Sequence, residues 1–79
     1  MHPPTFREFL RGHLNRYTAV GDLARDIEFE APARFRKPNI TPARLRAAME
    51  RMGASDDALA ALDRAEALWR AECAEGVPA

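Results

Sequence analysis

The stretch MGASDDALAALDRAEALW, from Met52 to Trp69, contains the end of one helix and the beginning of a longer one. Gly53 suits a helix C-terminus because glycine readily adopts the left-handed backbone conformation found there. Ser55 then predicts a new N-cap, and two aspartates follow it where negative charge meets the positive end of the helix dipole. The inner side of this fourth helix is predicted to comprise Leu59, Leu62, Ala65 and either Leu68 or Trp69, with Cys73 as a further candidate. Gly76 and Pro78 are expected to end the helix.

Upstream of this stretch, Thr41-Pro42 predicts the start of a third helix. The threonine oxygen can cap free amides, and proline at the first helical position loses no hydrogen bond. The linker before it, residues 31–40, is expected to be irregular because Pro32 ends the preceding helix, with Phe35 folded back into the core. The predicted buried side of the third helix is Leu45, Ala48, Met49 and Met52.

Two further helices are predicted near the N-terminus. Thr5 and Glu8 form a capping-box pattern, and the first helix carries an apolar stripe with three- and four-residue spacing. Thr18 is the expected cap of a short second helix, about residues 20–29. The stripe of the first helix is Phe6, Phe9, Leu10, His13, Leu14 and Tyr17, and the inward side of the second is Val20, Leu23, Ala24 and Ile27.

These segments predict one all-α domain over residues 1–79, a compact bundle of four or five short helices with frayed ends at residues 1–4 and 75–79. No segment alternates β-branched residues with a period of two, so no strand is expected. The predicted core centre is Phe6, Leu10, Leu23, Ile27, Leu45, Met49, Leu62 and Trp69.

The residues offer no constellation for catalysis or metal binding. The only serine, Ser55, is already assigned to a helix cap, so no nucleophile with an activating base can be assembled. His2, His13 and the lone Cys73 share no ligand-like spacing, and the four glycines form no phosphate-binding loop. We therefore expect no enzymatic activity, no cofactor and no metal, with His13 a half-buried packing residue.

The charge distribution is the least ordinary feature of the sequence. Twelve basic and twelve acidic side chains cancel, which removes a global attraction to nucleic acid or anionic lipid. Locally, residues 33–51 carry six cations against the single acid Glu50, whereas residues 22–30 and 52–79 are net acidic. The candidate partner-binding residues are Arg34, Arg36, Lys37, Arg44, Arg46 and Arg51.

Three interpretations of this basic stretch stay open at the level of sequence. It could contact phosphates, dock head-to-tail against an acidic face, or pair with the chain's own carboxylates on a solvated surface. A helix-turn-helix is disfavoured because about ten residues separate the second and third helices, where three or four are usual. For binding to single strands, only Phe35 stands among the basic residues as a stacking aromatic.

The assembled pattern resembles the YozE-like family, small bacterial proteins whose four-helix fold is similar to the sterile alpha motif (SAM). TFREFL at residues 5–10 resembles the aromatic-rich opening of that family, VGDLARDI at residues 20–27 its short second helix, and residues 52–69 its turn and final helix. The family tends to have an adjacent aromatic–proline pair after its second helix, whereas Phe35 and Pro38 are not adjacent in this chain. The tryptophan of the final helix usually lies about one turn earlier in the family than Trp69 does here. The resemblance implies a SAM-like fold without an assigned activity or cofactor.

We therefore expect a non-enzymatic protein–protein interaction module that binds another protein or its own copies through complementary charged faces. The alternative is a nucleic-acid-binding accessory protein that uses the basic 34–51 surface. A cytoplasmic location without membrane contact is expected, because residues 1–5 lack the features of a signal peptide and no apolar stretch approaches the roughly 20 residues that cross a bilayer. A single cysteine also favours a reducing compartment.

Overall fold

The computed structural model describes residues 2–75 and confirms the predicted all-α bundle for them. In chain order the elements are α1 (Phe6–Arg11), α2 (Ala19–Arg25), a π-helical segment (Asp26–Glu30), a 3₁₀ helix (Ala33–Arg36), α3 (Pro42–Arg51) and α4 (Asp56–Glu75). No strand occurs among the described residues. Met1 and residues 76–79, which include the predicted helix end at Gly76 and Pro78 and most of the predicted frayed ends, lie outside them.

A hydroxyl side chain begins each of the four α-helices, as the sequence predicts. The oxygens of Thr5, Thr18, Thr41 and Ser55 each accept a hydrogen bond from the amide three residues ahead, at 3.1 to 3.2 Å. The capping box of α1 is complete, because the Glu8 carboxylate accepts a hydrogen bond from the Thr5 amide at 2.9 Å. This bond holds the pKa of Glu8 below its ordinary value.

Side chains from all four α-helices and from the linker share one apolar core. Seven of the eight predicted central residues are buried: Phe6, Leu10, Leu23, Ile27, Leu45, Met49 and Leu62. The eighth, Trp69, is partly buried and lies edge-on to Phe6, with ring centroids 5.3 Å apart. Its indole N–H donates to the Pro4 carbonyl at 2.8 Å, which ties the N-terminal segment to α4.

The linker between α2 and α3 folds back onto the core as predicted. Phe35, in the middle of the 3₁₀ helix, is only 4 % exposed. The Phe35 amide donates to the Pro32 carbonyl at 2.9 Å and closes the turn that presents the ring to the core.

Two predicted core positions are wrong. The apolar stripe predicted for the first helix includes Tyr17, but α1 ends at Arg11 and Tyr17 is 98 % exposed. The chain turns after Gly12, so helical spacing no longer applies to Tyr17. Met52 is 57 % exposed because it follows the last residue of α3 and precedes the left-handed Gly53, whose φ is 75°.

The connection between α1 and α2, residues 12–18, packs directly against α2. A methyl group on Gly21 would place its carbon 2.0 Å from the Arg16 carbonyl oxygen, so only glycine permits this approach. Arg25 of α2 donates to the carbonyls of Leu14 and Arg16, at 2.9 and 2.8 Å. These contacts fix the backbone of the connection.

Candidate partner-binding face

Four of the six predicted partner-binding cations lie on one face of the molecule. Arg34, Lys37 and Arg44 line a groove of about 400 Å³ between the linker and α3. Arg34, Arg44 and Arg51 line an adjoining groove of about 440 Å³. All four side chains are exposed. Arg34, Lys37, Arg44 and Arg51 are called the basic face below.

Local structure explains why these side chains converge. On α3, Arg44, Ala48 and Arg51 follow the four- and three-residue spacing of one helix side, so a small alanine separates two cations. In the linker, the 3₁₀ helix buries Phe35 and leaves Arg34 at the surface. The Arg34 guanidinium lies 5.4 Å from the centroid of the Phe35 ring and donates to the Met52 sulfur at 3.5 Å.

No carboxylate within the described residues forms a salt bridge with the basic face. Its four cations take part in none of the salt bridges found in residues 2–75. Glu50, the only acid of residues 33–51, lies one turn from Arg46, on another side of α3 from Arg44 and Arg51. Four like charges thus lie together at the surface, and their electrostatic field is screened least at low salt.

Arg46 lies apart from the basic face and connects two helices. Its guanidinium donates to the carboxylate of Asp63 on α4. This hydrogen bond raises the pKa of Arg46 above its ordinary value, and the negative charges of Asp63 and Glu50 add to the effect. The contact joins α3 to α4.

Arg36 also lies apart from the basic face and completes the end of the π-helical segment. One guanidinium nitrogen donates to the Ala31 carbonyl at 2.7 Å and to the Ile27 carbonyl at 3.1 Å. Carbonyls at a helix C-terminus have no partner within the helix, so the Arg36 side chain supplies the missing donor. The sequence identifies Arg36 as a cation but does not indicate that its side chain bonds to backbone carbonyls.

Replacing Arg36 by methionine is expected to lower the free energy of unfolding by about 1 to 2 kcal/mol, because two partly buried carbonyls lose their charged donor while the aliphatic packing is kept. Urea unfolding followed by circular dichroism measures the change. Arg44→Met, on the exposed basic face, is the matched control and is expected to stay within about 0.5 kcal/mol of the parent. Equal stabilities of the two variants would contradict the role given to Arg36.

The burial of Phe35 bears on the nucleic-acid interpretation. A surface for single strands combines cations with exposed aromatic rings on which bases stack. Phe35 is the only aromatic residue in the basic stretch, and its ring belongs to the core. The exposed aromatics Tyr17 and Phe29 do not line the grooves of the basic face.

A third groove, of about 290 Å³, opens where the π-helical segment, the linker and the α3–α4 turn meet. Its floor is formed by core side chains, among them Ile27, Phe35 and Met49, and its rim carries Asp26, Glu30 and the exposed Met52. We call this the acidic groove. The sequence indicated net negative charge over residues 22–30, but not that an apolar floor lies beside it.

Residues 2–75 contain neither a metal-binding cluster nor a helix that could span a membrane. No group of three or more histidine, cysteine or carboxylate side chains there is arranged to hold a metal ion. None of the helices in this range combines the length and the apolar character needed to cross a membrane.

His13 is half-buried as predicted, with its Nδ1 3.0 Å from the Phe9 carbonyl oxygen.

Comparison of the chain with models of known protein families, with curated proteins and with solved structures found no match. The resemblance to the YozE-like family therefore stays a prediction, and the geometry of the two surfaces is the basis for a functional proposal.

Proposed function

We propose that this protein is a non-enzymatic protein–protein interaction module whose basic face binds an acidic segment. The observation that carries the proposal is the basic face itself: four exposed cations, from the linker and from α3, line adjoining grooves without a carboxylate partner among the described residues. The shared chemistry of the partner is a run of carboxylates, presented by another protein or by a second copy of this chain.

The acidic groove offers such carboxylates on a second copy of the chain. Asp26 and Glu30 stand at the rim of an apolar floor, and the exposed Met52 adds a flexible contact surface. Basic and acidic surfaces lie on the same chain, so molecules could associate head-to-tail. The resemblance to SAM-like folds, which serve as interaction modules, agrees with this proposal by analogy of fold alone.

The double variant Arg44→Gln and Arg51→Gln is expected to weaken binding of a fluorescent poly-glutamate peptide by about tenfold at low salt, because two exposed ion pairs contribute up to about 1 kcal/mol each. Fluorescence anisotropy measures the dissociation constant. The double variant Arg11→Gln and Arg70→Gln removes the same charge away from the basic face and is the control. Light scattering at low and high salt shows in parallel whether the chain associates with itself.

Three results would contradict the proposal: no salt-sensitive binding of the peptide, an equal loss in the control variant, or stronger binding of an oligodeoxythymidine of equal charge. The last result would favour the nucleic-acid alternative. A strictly monomeric protein at low salt, with peptide binding intact, would assign the acidic segment to a different protein.

A further inference from the structure

A further cavity, which shares no lining residue with the basic face or the acidic groove, lies between the α1–α2 connection and α4. Its volume is about 360 Å³, within the range of small-molecule sites. The connection contributes His13, Arg16 and Thr18, and α4 contributes Arg64 and Leu68. We call this cavity the anion cleft.

The side chains that line the cleft include two arginines and a histidine, but no carboxylate. Arg16 and Arg64 form no salt bridge within the described part of the chain. The α4 residues one turn from Arg64 are alanines and Leu68, and the adjacent Asp63 is held by Arg46 on the side of α3. The charges of the cleft are therefore not neutralised by the helix that carries Arg64.

The backbone that carries the first wall of the cleft is fixed before any ligand binds. The Arg16 carbonyl lies against Gly21 and accepts a hydrogen bond from Arg25 at 2.8 Å. The His13 ring is held by its 3.0 Å contact with the Phe9 carbonyl and by packing on the Phe9 ring, with centroids 4.4 Å apart. A preformed wall reduces the entropy lost on binding.

The chemistry of the lining defines the ligand. Guanidinium groups bind planar or tetrahedral oxyanions through paired hydrogen bonds, and two of them suit a phosphate with three terminal oxygens. The Thr18 oxygen accepts the Gly21 amide at 3.1 Å, which leaves its O–H to donate to an anion. Leu68, 38 % exposed, and the buried Val20 provide an apolar wall for the group that carries the phosphate.

We propose that the anion cleft binds a phosphate monoester carried on a small apolar or aromatic group, through Arg16, Arg64 and Thr18. The ester could be a free small molecule or a phosphorylated side chain, since both present the same group. This site is separate from the basic face, and it does not depend on the function proposed for that face.

Phenyl phosphate is the probe, and amide chemical-shift changes in the NMR spectrum of the whole chain report where it binds. We expect saturable shifts at Arg16, Thr18, Arg64 and Leu68, with tighter binding than inorganic phosphate, which lacks the ring, and than benzoate, which lacks the phosphate. The double variant Arg16→Gln and Arg64→Gln is expected to weaken binding by tenfold or more, with its helical content unchanged by circular dichroism. A peptide with a single phosphotyrosine, compared with phenyl phosphate, tells a protein-borne ester from a free one.

Two matched variants separate this site from general charge effects. Arg11→Gln with Arg70→Gln, and Arg44→Gln with Arg51→Gln, remove the same charge elsewhere and should leave the phenyl phosphate affinity unchanged. Absence of saturable shifts, shifts centred on the basic face, or an equal loss in either control would overturn the proposal. Because each surface has its own loss-of-binding variant and its own probe, failure here leaves the poly-glutamate result unaffected.

Discussion

Replacing Gly21 by alanine is expected to lower the free energy of unfolding by about 3 kcal/mol or more, because an added methyl carbon would lie 2.0 Å from the Arg16 carbonyl oxygen. That oxygen cannot simply move away, since Arg25 also holds it. The helix and the connection must separate, and the contacts of Arg25 with the connection weaken. A domain of this size has a total stability of roughly 4 to 12 kcal/mol, so the loss is a large fraction of it.

Chemical denaturation followed by circular dichroism measures this change, and Gly12→Ala is its matched control. Gly12 has an ordinary φ of −67°, and its nearest carbonyl oxygen would lie 3.3 Å from the added carbon. We expect Gly12→Ala to change the stability by less than about 1 kcal/mol. A Gly21→Ala protein as stable as the Gly12→Ala protein would show that the connection does not pack on α2 as described.

The second large effect is expected for Phe35→Ala, which should destabilise the protein by about 3 to 5 kcal/mol. Phe35 is the only aromatic side chain of the linker, and it contributes to the core and to the floor of the acidic groove. Removal of the ring leaves a cavity in the core. The 3₁₀ helix that carries residue 35 is a single turn, too short to move inward and fill this cavity. Because Arg34 and Lys37 of the basic face lie in the linker beside Phe35, we expect this part of the basic face to lose its order together with the linker.

Phe29→Ala is the matched control, since the same chemical change is made on a ring that is 71 % exposed. Its expected effect is within about 0.5 kcal/mol. Urea unfolding followed by circular dichroism compares the two variants, and Trp69 fluorescence checks that each still forms the core. Similar losses at the two positions would mean that Phe35 is not the core residue of the linker.

The candidate site could be predicted in part. Charge counting found the basic stretch, and helical spacing places Arg44 and Arg51 on one side of α3. Neither pattern could separate Arg36 and Arg46 from the other cations. Arg36 bonds to backbone carbonyls at the end of the π-helical segment, and Arg46 bonds to a carboxylate on α4. The sequence does not indicate the anion cleft for a related reason: Arg16 and Arg64 are distant in sequence and line the same cleft only because of tertiary packing.

The starts of the α-helices and most of the core residues can be identified from the sequence alone. Caps such as Thr41 and Ser55, the left-handed Gly53 and the apolar spacing act over a few residues, so they can be read locally. Tertiary structure alone decided that α1 stops at Arg11, that Gly21 must be glycine, and which cations remain without a carboxylate partner. The physical reason is that close backbone approach and charge pairing depend on distances between segments, which helical periodicity does not encode.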